Sequence, residues 1–142
     1  MTTEKKFDIS DQNRTYSFDD LLEIIAALRA PGGCPWDIKQ THETLKECLI
    51  EESGEVIQAI DNQDDANLCE ELGDLLLQVI MHAQIAAEEK RFTMADVIQG
   101  VSEKMIRRHP HVFGDAKADS PEESLALWQE IKQQEKKKSG QL

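Results

Sequence analysis

Four acids stand in two pairs of equal spacing: Glu52 and Glu55 in EESGEV (51–56), and Glu71 and Asp74 in ELGDLL (71–76). On an α-helix, residues at i and i+3 share a face, so each pair sets two carboxylates side by side. At about 100° per residue, Glu52 falls between Leu49 and Val56, inside an apolar stripe, with Glu51 and Glu55 at its edge. The same projection gathers Glu71, Asp74, Gln78 and His82 into a polar ribbon, flanked by Leu68, Leu72 and Leu75 on one side and by Leu77 and Met81 on the other. If the two helices fold back as an antiparallel hairpin, four carboxylates converge on one spot.

Such a cluster repels itself. Burying even one unpaired carboxylate costs several kcal/mol, so the arrangement requires raised pKa values, basic partners or a bound cation. An all-oxygen ligand set selects a hard cation, Mg²⁺ or Mn²⁺. The competing reading is a solvated acidic face, ordinary for a charged helix; the place of Glu52 within the apolar stripe argues against it. No Glu-x-x-His spacing occurs, which disfavours a di-iron bundle, and His82 reads as a packed or hydrogen-bonded histidine. Gly54 and Gly73 each cost about 1 kcal/mol relative to Ala inside a helix. Close helix approach on the face away from the acids is the expected compensation.

The elements that must hold these residues follow from periodicity and punctuation. Ser17 with Asp19 and Asp20 predicts a helix over 18–29, stopped by Pro31, Gly32 and Gly33, with PGGCPWD as a loop. A second helix, capped by Thr41 or Thr44, runs to about Asp61 and buries Leu45, Cys48, Leu49, Val56, Ala59 and Ile60. NQDD is the break before a third helix over 65–90, with Leu68, Leu72, Leu75, Leu76, Val79, Ile80 and Ala83 inward. Thr93 with Asp96 opens a fourth helix that Pro110 ends; a polar loop follows, and Ser120 with Pro121 opens a fifth through about Lys136. Alternating β-branched runs are absent, so the expected fold is all-α: a bundle of four to five helices over 17–136, with a flexible leader over 1–16 and a flexible tail over 137–142. Leu77 and Met81 give the third helix a second apolar side, which a symmetric partner can cover, and the expectation is at least a homodimer.

Composition restricts the function classes. With 28 acidic against 16 basic residues and a net charge of −12, nonspecific attraction to nucleic acid or anionic membrane is disfavoured. No apolar run approaches the roughly 20 residues needed to span a bilayer, and the first residues lack a signal-peptide core, which points to the cytoplasm. Cys34, Cys48 and Cys69 form no CxxC pair; Cys48 and Cys69 read as small core residues.

Together with GCPWD, QTHETL, ELGDLLLQV and RRHPHVFGD, the two acid pairs resemble the MazG-type nucleoside triphosphate pyrophosphohydrolases, a branch of the all-α pyrophosphatases that include dimeric dUTPases. The resemblance spans about residues 18–136. It implies Mg²⁺-dependent cleavage of a nucleoside triphosphate between the α and β phosphates, giving a nucleoside monophosphate and pyrophosphate. The implied metal ligands are Glu52, Glu55, Glu71 and Asp74, with Glu51 orienting the attacking water beside Glu52. It further implies that Lys104 and Arg108 contact phosphate, with Arg107 divided between that role and the helix dipole, and that Trp128 and Lys132 form a base-side and phosphate-side pair. Trp128 can equally be a core residue. Trp36 can stack on a base or anchor its loop, and anchoring is the reading preferred. Relatives of this type are dimers or dimer-based tetramers, with the active site at or near the subunit contact. Some relatives carry a basic residue where this chain has Cys48, which leaves a noncatalytic nucleotide- or metal-sensing module on the same fold as the alternative.

Overall fold

The computed structural model describes residues 5–140, and within them the chain is all-α, with seven helices. It divides into two compact units, Met1–Met94 and Ala95–Leu142. Residues 1–4 of the expected leader and 141–142 of the expected tail lie outside the described residues.

The first unit holds α1 (Phe18–Arg29), α2 (Pro35–Lys39), α3 (Lys46–Asp61) and α4 (Asp65–Glu88). α1 starts where a capping box dictates: the Ser17 hydroxyl accepts from the Asp20 N–H, and the Asp20 carboxylate accepts from the Ser17 N–H. Ahead of it, Arg14 bonds the Lys6 carbonyl and Asp20 while lying over Phe7 and Tyr16, so residues 6–16 are tied to the start of α1. The expected PGGCPWD loop contains α2, because Pro35 is preorganised for a first helical position. Gly33 has no room for a side chain: a Cβ would meet the Leu28 and Ala27 carbonyl oxygens. Thr41 and Thr44 cap a turn one step ahead of α3 through reciprocal backbone-to-hydroxyl bonds of 2.9 and 3.2 Å, and α3 proper begins at Lys46.

α3 and α4 pack along one another as a hairpin, and α1 packs on α2 and α4. The connection is a Schellman motif: Gln63 N–H bonds the Ile60 carbonyl and Asp64 N–H the Ala59 carbonyl, with Gln63 at φ 51°. Asp64 then caps α4 at Asn67 N–H. The far end of α4 closes in the same way, with Lys90 at φ 58° and Arg91 N–H bonded to the Ala86 carbonyl. Arg29 fastens the unit, donating to Glu88 on α4 and to the carbonyls of Asp37 and Gln40.

The core is Ile25, Leu45, Ile80, Met81 and Ile85, with Leu21, Leu22, Cys48, Leu77 and Met94 packed against it. Ile80 and Ala83 are buried as expected, but the rest of the expected orientation of α4 is corrected. Met81 is 3% exposed and Leu77 lies on the core, whereas Leu72, Leu76 and Val79 are exposed, together with Leu49 and Ile60 on α3. Cys69 is exposed as well, contrary to its reading as a core residue. α4 is apolar over most of its circumference, and α1 covers the side that carries Met81.

The second unit holds the rest of α5 (Met94–Arg108), α6 (Pro110–Phe113) and α7 (Pro121–Lys138). Pro110 ends α5 as expected, but it also opens α6, which takes up the start of the expected polar loop. No described helix is long and apolar enough to cross a membrane.

A Cβ added at Gly54 or Gly73 would meet nothing within 4 Å, so close helix approach within the chain does not account for either glycine. Both sites can accept alanine in helical backbone. Gly54→Ala and Gly73→Ala should each raise the unfolding free energy by up to about 1 kcal/mol in chemical denaturation.

Candidate functional site

The α3–α4 hairpin brings Glu52, Glu55 and Glu71 together, each offering a carboxylate oxygen within 4.8 Å of the others. Glu52 Oε2 and Glu71 Oε2 are buried without a hydrogen-bond partner. Burial pushes the Glu52 carboxyl up; the charges of Glu55 and Asp74 add to this, and hydrogen bonding with Glu71 offsets part of it. Glu71 is raised to about 7, first by sharing a proton with Glu55, then by burial and by Glu52. Asp74 stands outside the trio but near enough for its charge to act on Glu52, while Glu51 is exposed.

Two unpartnered buried oxygens of like charge are a costly arrangement unless something positive completes them. The donor set is all oxygen, without His or Cys, which suits a hard divalent cation of the Mg²⁺ or Mn²⁺ type. On this geometry the residues fit such an ion.

Five residues of the second unit form a cluster. Arg108 Nη2 bonds Glu135 Oε2 at 2.8 Å with its side chain only 12% exposed, and the Arg108 and Lys132 cations lie 5.5 and 5.4 Å from the Trp128 ring centroid. Arg107 shares Glu135 at 2.5 Å, and the two guanidiniums hold the Glu135 carboxyl down at about 2. Glu135, 27 residues from Arg108, is a partner that local sequence patterns could not reveal. Lys104, one turn before Arg108, is exposed. Trp36 is 58% exposed, so its ring does not anchor the loop as expected; its carbonyl accepts instead from Gln40 Nε2.

Along α4 the polar ribbon continues to Gln78 and His82. Gln78 is buried with Oε1 unpartnered, and His82 meets His42, which in turn meets Arg91. Sequence periodicity singled out Gln78 and His82 as polar within an apolar surround; His42 and Arg91 gave no local signal.

Residues 40–113, which contain all four acids and extend past Arg108, match the model of the MazG nucleotide pyrophosphohydrolase domain. The chain belongs to the MazG family. It is 57% identical over 121 residues to a Thermotoga maritima protein named nucleoside triphosphate pyrophosphohydrolase/pyrophosphatase MazG, an alignment covering 85% of this chain and 46% of that protein. With the Escherichia coli K12 nucleoside triphosphate pyrophosphohydrolase it shares 47% identity over 124 residues, 87% of this chain and 47% of the relative. The chain thus spans about half the length of these MazG relatives. A solved structure, that of a mazG-related protein from Thermotoga maritima, superposes with a TM-score of 0.67 at 40% identity, covering 81% of this chain and 98% of that one.

The acid cluster sets the pH dependence of the metal-free protein. Because Glu71 is raised from 4.5 to about 7 on folding, its contribution to stability is full below about 4.5 and is lost as pH rises through about 7. His82 is lowered from 6.5 by burial and by His42, so its contribution is lost only on acidification. Between pH 6.5 and about 8 the acid therefore dominates: the melting temperature in a chelator should fall with rising pH, and Glu71→Gln should flatten that slope.

Proposed function

We propose that this chain hydrolyses nucleoside triphosphates to a nucleoside monophosphate and pyrophosphate, with a divalent cation, Mg²⁺ or alternatively Mn²⁺, held by Glu52, Glu55, Glu71 and Asp74. The observation that carries this is the pair of buried, unpartnered oxygens, Glu52 Oε2 and Glu71 Oε2, within the three-carboxylate cluster. Membership of the MazG family, and the activity for which the Thermotoga maritima and Escherichia coli relatives are named, support the same substrate class. When bound, the cation supplies charge neutralisation for the triphosphate and acidifies a coordinated water.

The chain's own groups supply orientation. Glu52, fixed on α3 against α4, offers its carboxylate to the proposed cation, and exposed Glu51 beside it is the group assigned to align the water for in-line attack at the α-phosphorus. Pyrophosphate is then the leaving group. Within the second unit, Lys104, Arg108 and Lys132 are the cations offered to phosphate oxygens and Trp128 the ring offered to a base; Arg108 keeps free N–H donors beyond those given to Glu135. Trp36, being exposed, is a second aromatic face available for stacking.

The substrate partner is accompanied by a second copy of the chain, as a homodimer or dimer-based tetramer. With Leu77 and Met81 in the core, the contact is assigned to the exposed stripe Leu72, Leu76 and Val79. Leu76→Asp should give a monomer by light scattering with the fold intact, whereas Leu77→Asp should destabilise each subunit by several kcal/mol.

Activity is tested by pyrophosphate release from a nucleotide panel with and without Mg²⁺. Glu52→Gln should keep the fold and lose more than the roughly 10–100-fold typical of an outer-shell change. Tight nucleotide binding without turnover of any nucleotide would support the noncatalytic sensing module, and normal turnover by Glu52→Gln would remove Glu52 from the site.

A further inference from the structure

His42 and His82, 40 residues apart, lie with ring planes 3° from parallel and centroids 5.0 Å apart, and Nδ1 faces Nδ1 at 2.7 Å. Two imidazole nitrogens at that distance need one proton between them, so one ring donates and the other accepts. Arg91 decides which. Its Nη2 lies 2.5 Å from His42 Nε2, and a guanidinium has donors only, so His42 Nε2 carries the lone pair. Neutral His42 therefore holds its proton on Nδ1 and donates it to His82 Nδ1. Neutral His82 must then hold its own proton on Nε2.

That leaves His82 Nε2–H as a donor, buried and without a partner. One turn earlier on the same face of α4, Gln78 Oε1 is an acceptor, also buried and unpartnered, on a residue 8% exposed. The two orphans have opposite sense. Left unmade, each costs about 1–3 kcal/mol. Side chains at i and i+4 stand about 5–6 Å apart at Cβ on neighbouring turns of one face, so a single small molecule can serve both a donor and an acceptor there.

We infer that Gln78 and His82 form a built site for one ordered water, which accepts from His82 Nε2–H and donates to Gln78 Oε1, and that His42 and Arg91 are positioning residues that hold His82 in the donor tautomer. A cation is disfavoured by the N–H and an anion by the amide oxygen, whereas a water satisfies both. The backbone supports the arrangement. Arg91 follows the Schellman closure of α4, which turns its side chain back along the helix, and His42 sits in the turn fixed by the Thr41–Thr44 bonds and by Arg29 on the Gln40 carbonyl. The site runs from Glu89 through Arg91, His42 and His82 to the water and Gln78, and it does not depend on the proposed hydrolysis.

Long-range ¹H–¹⁵N correlation spectra of the full ¹⁵N-labelled chain, at a pH where both rings are neutral, read the two tautomers directly. Water-selective cross-relaxation to His82 Hε2 reads the occupant. The expected result is His42 protonated on Nδ1, His82 on Nε2, and a water peak to Hε2 that disappears in Gln78→Leu. Arg91→Leu should turn His82 into a mixture of tautomers. His42 protonated on Nε2, or His82 on Nδ1, overturns the inference in the native chain without any variant. An Hε2 with no water contact, bonded straight to Gln78, overturns the water site, as does a water peak unchanged by Gln78→Leu.

Discussion

Like-charge repulsion among carboxylates gathered along a helical hairpin is the constraint to which the rest of the first unit answers. Glu52, Glu55 and Glu71 offer oxygens within 4.8 Å of one another, and two of those carboxylates, Glu52 and Glu71, each have a buried oxygen without a hydrogen-bond partner. A chain tolerates that only if the backbone cannot relax away from it. α3 and α4 are therefore joined by a tight Schellman turn with a capped restart, and the far end of α4 is fastened to α1 through Arg29 and Glu88. Removal of the proton from Glu71 sharpens the conflict, which is the demand that the proposed cation would answer.

α4 is the common support. One side of it carries Ile80, Met81 and Ile85 into the core. A second carries the polar ribbon, acids first and then Gln78 and His82, so the face that concentrates negative charge continues into one whose hydrogen bonds are set by a histidine pair and an arginine. A third, with Leu72, Leu76 and Val79, remains apolar and exposed. Three different surfaces on one 24-residue helix leave few positions free of a specific demand.

The parts legible in the sequence are those whose signal is local. Ser17 with Asp19 and Asp20 marks the start of α1, and Ser120 with Pro121 that of α7; the i, i+3 acids with Glu52 lodged in an apolar stripe announce the cluster. What was misread depends on partners distant in the chain. Periodicity finds two apolar stripes on α4 but does not tell which one α1 will cover: it places Ile80 and Ala83 inward, as in the fold, but also Leu72, Leu76 and Val79, which are exposed, and it turns Leu77 and Met81 away from the core on which they pack. α2 and α6 have five and four residues, too few to display a period. Pairings such as Arg108 with Glu135, or His42 with His82, span 27 and 40 residues and exist only once the helices are packed.

The claim that the cluster is a cation site makes a linkage demand that calorimetry can read. At pH near the Glu71 value of about 7, part of the Glu71 population still holds its proton, and a cation must displace it. Titration of Mn²⁺ or Mg²⁺ into the full chain, in two buffers of different ionisation enthalpy, should give saturable binding with proton release at that pH, fading as the pH is raised and Glu71 ionises beforehand. Absence of saturable binding, or binding whose heat is the same in both buffers at that pH, would contradict the account.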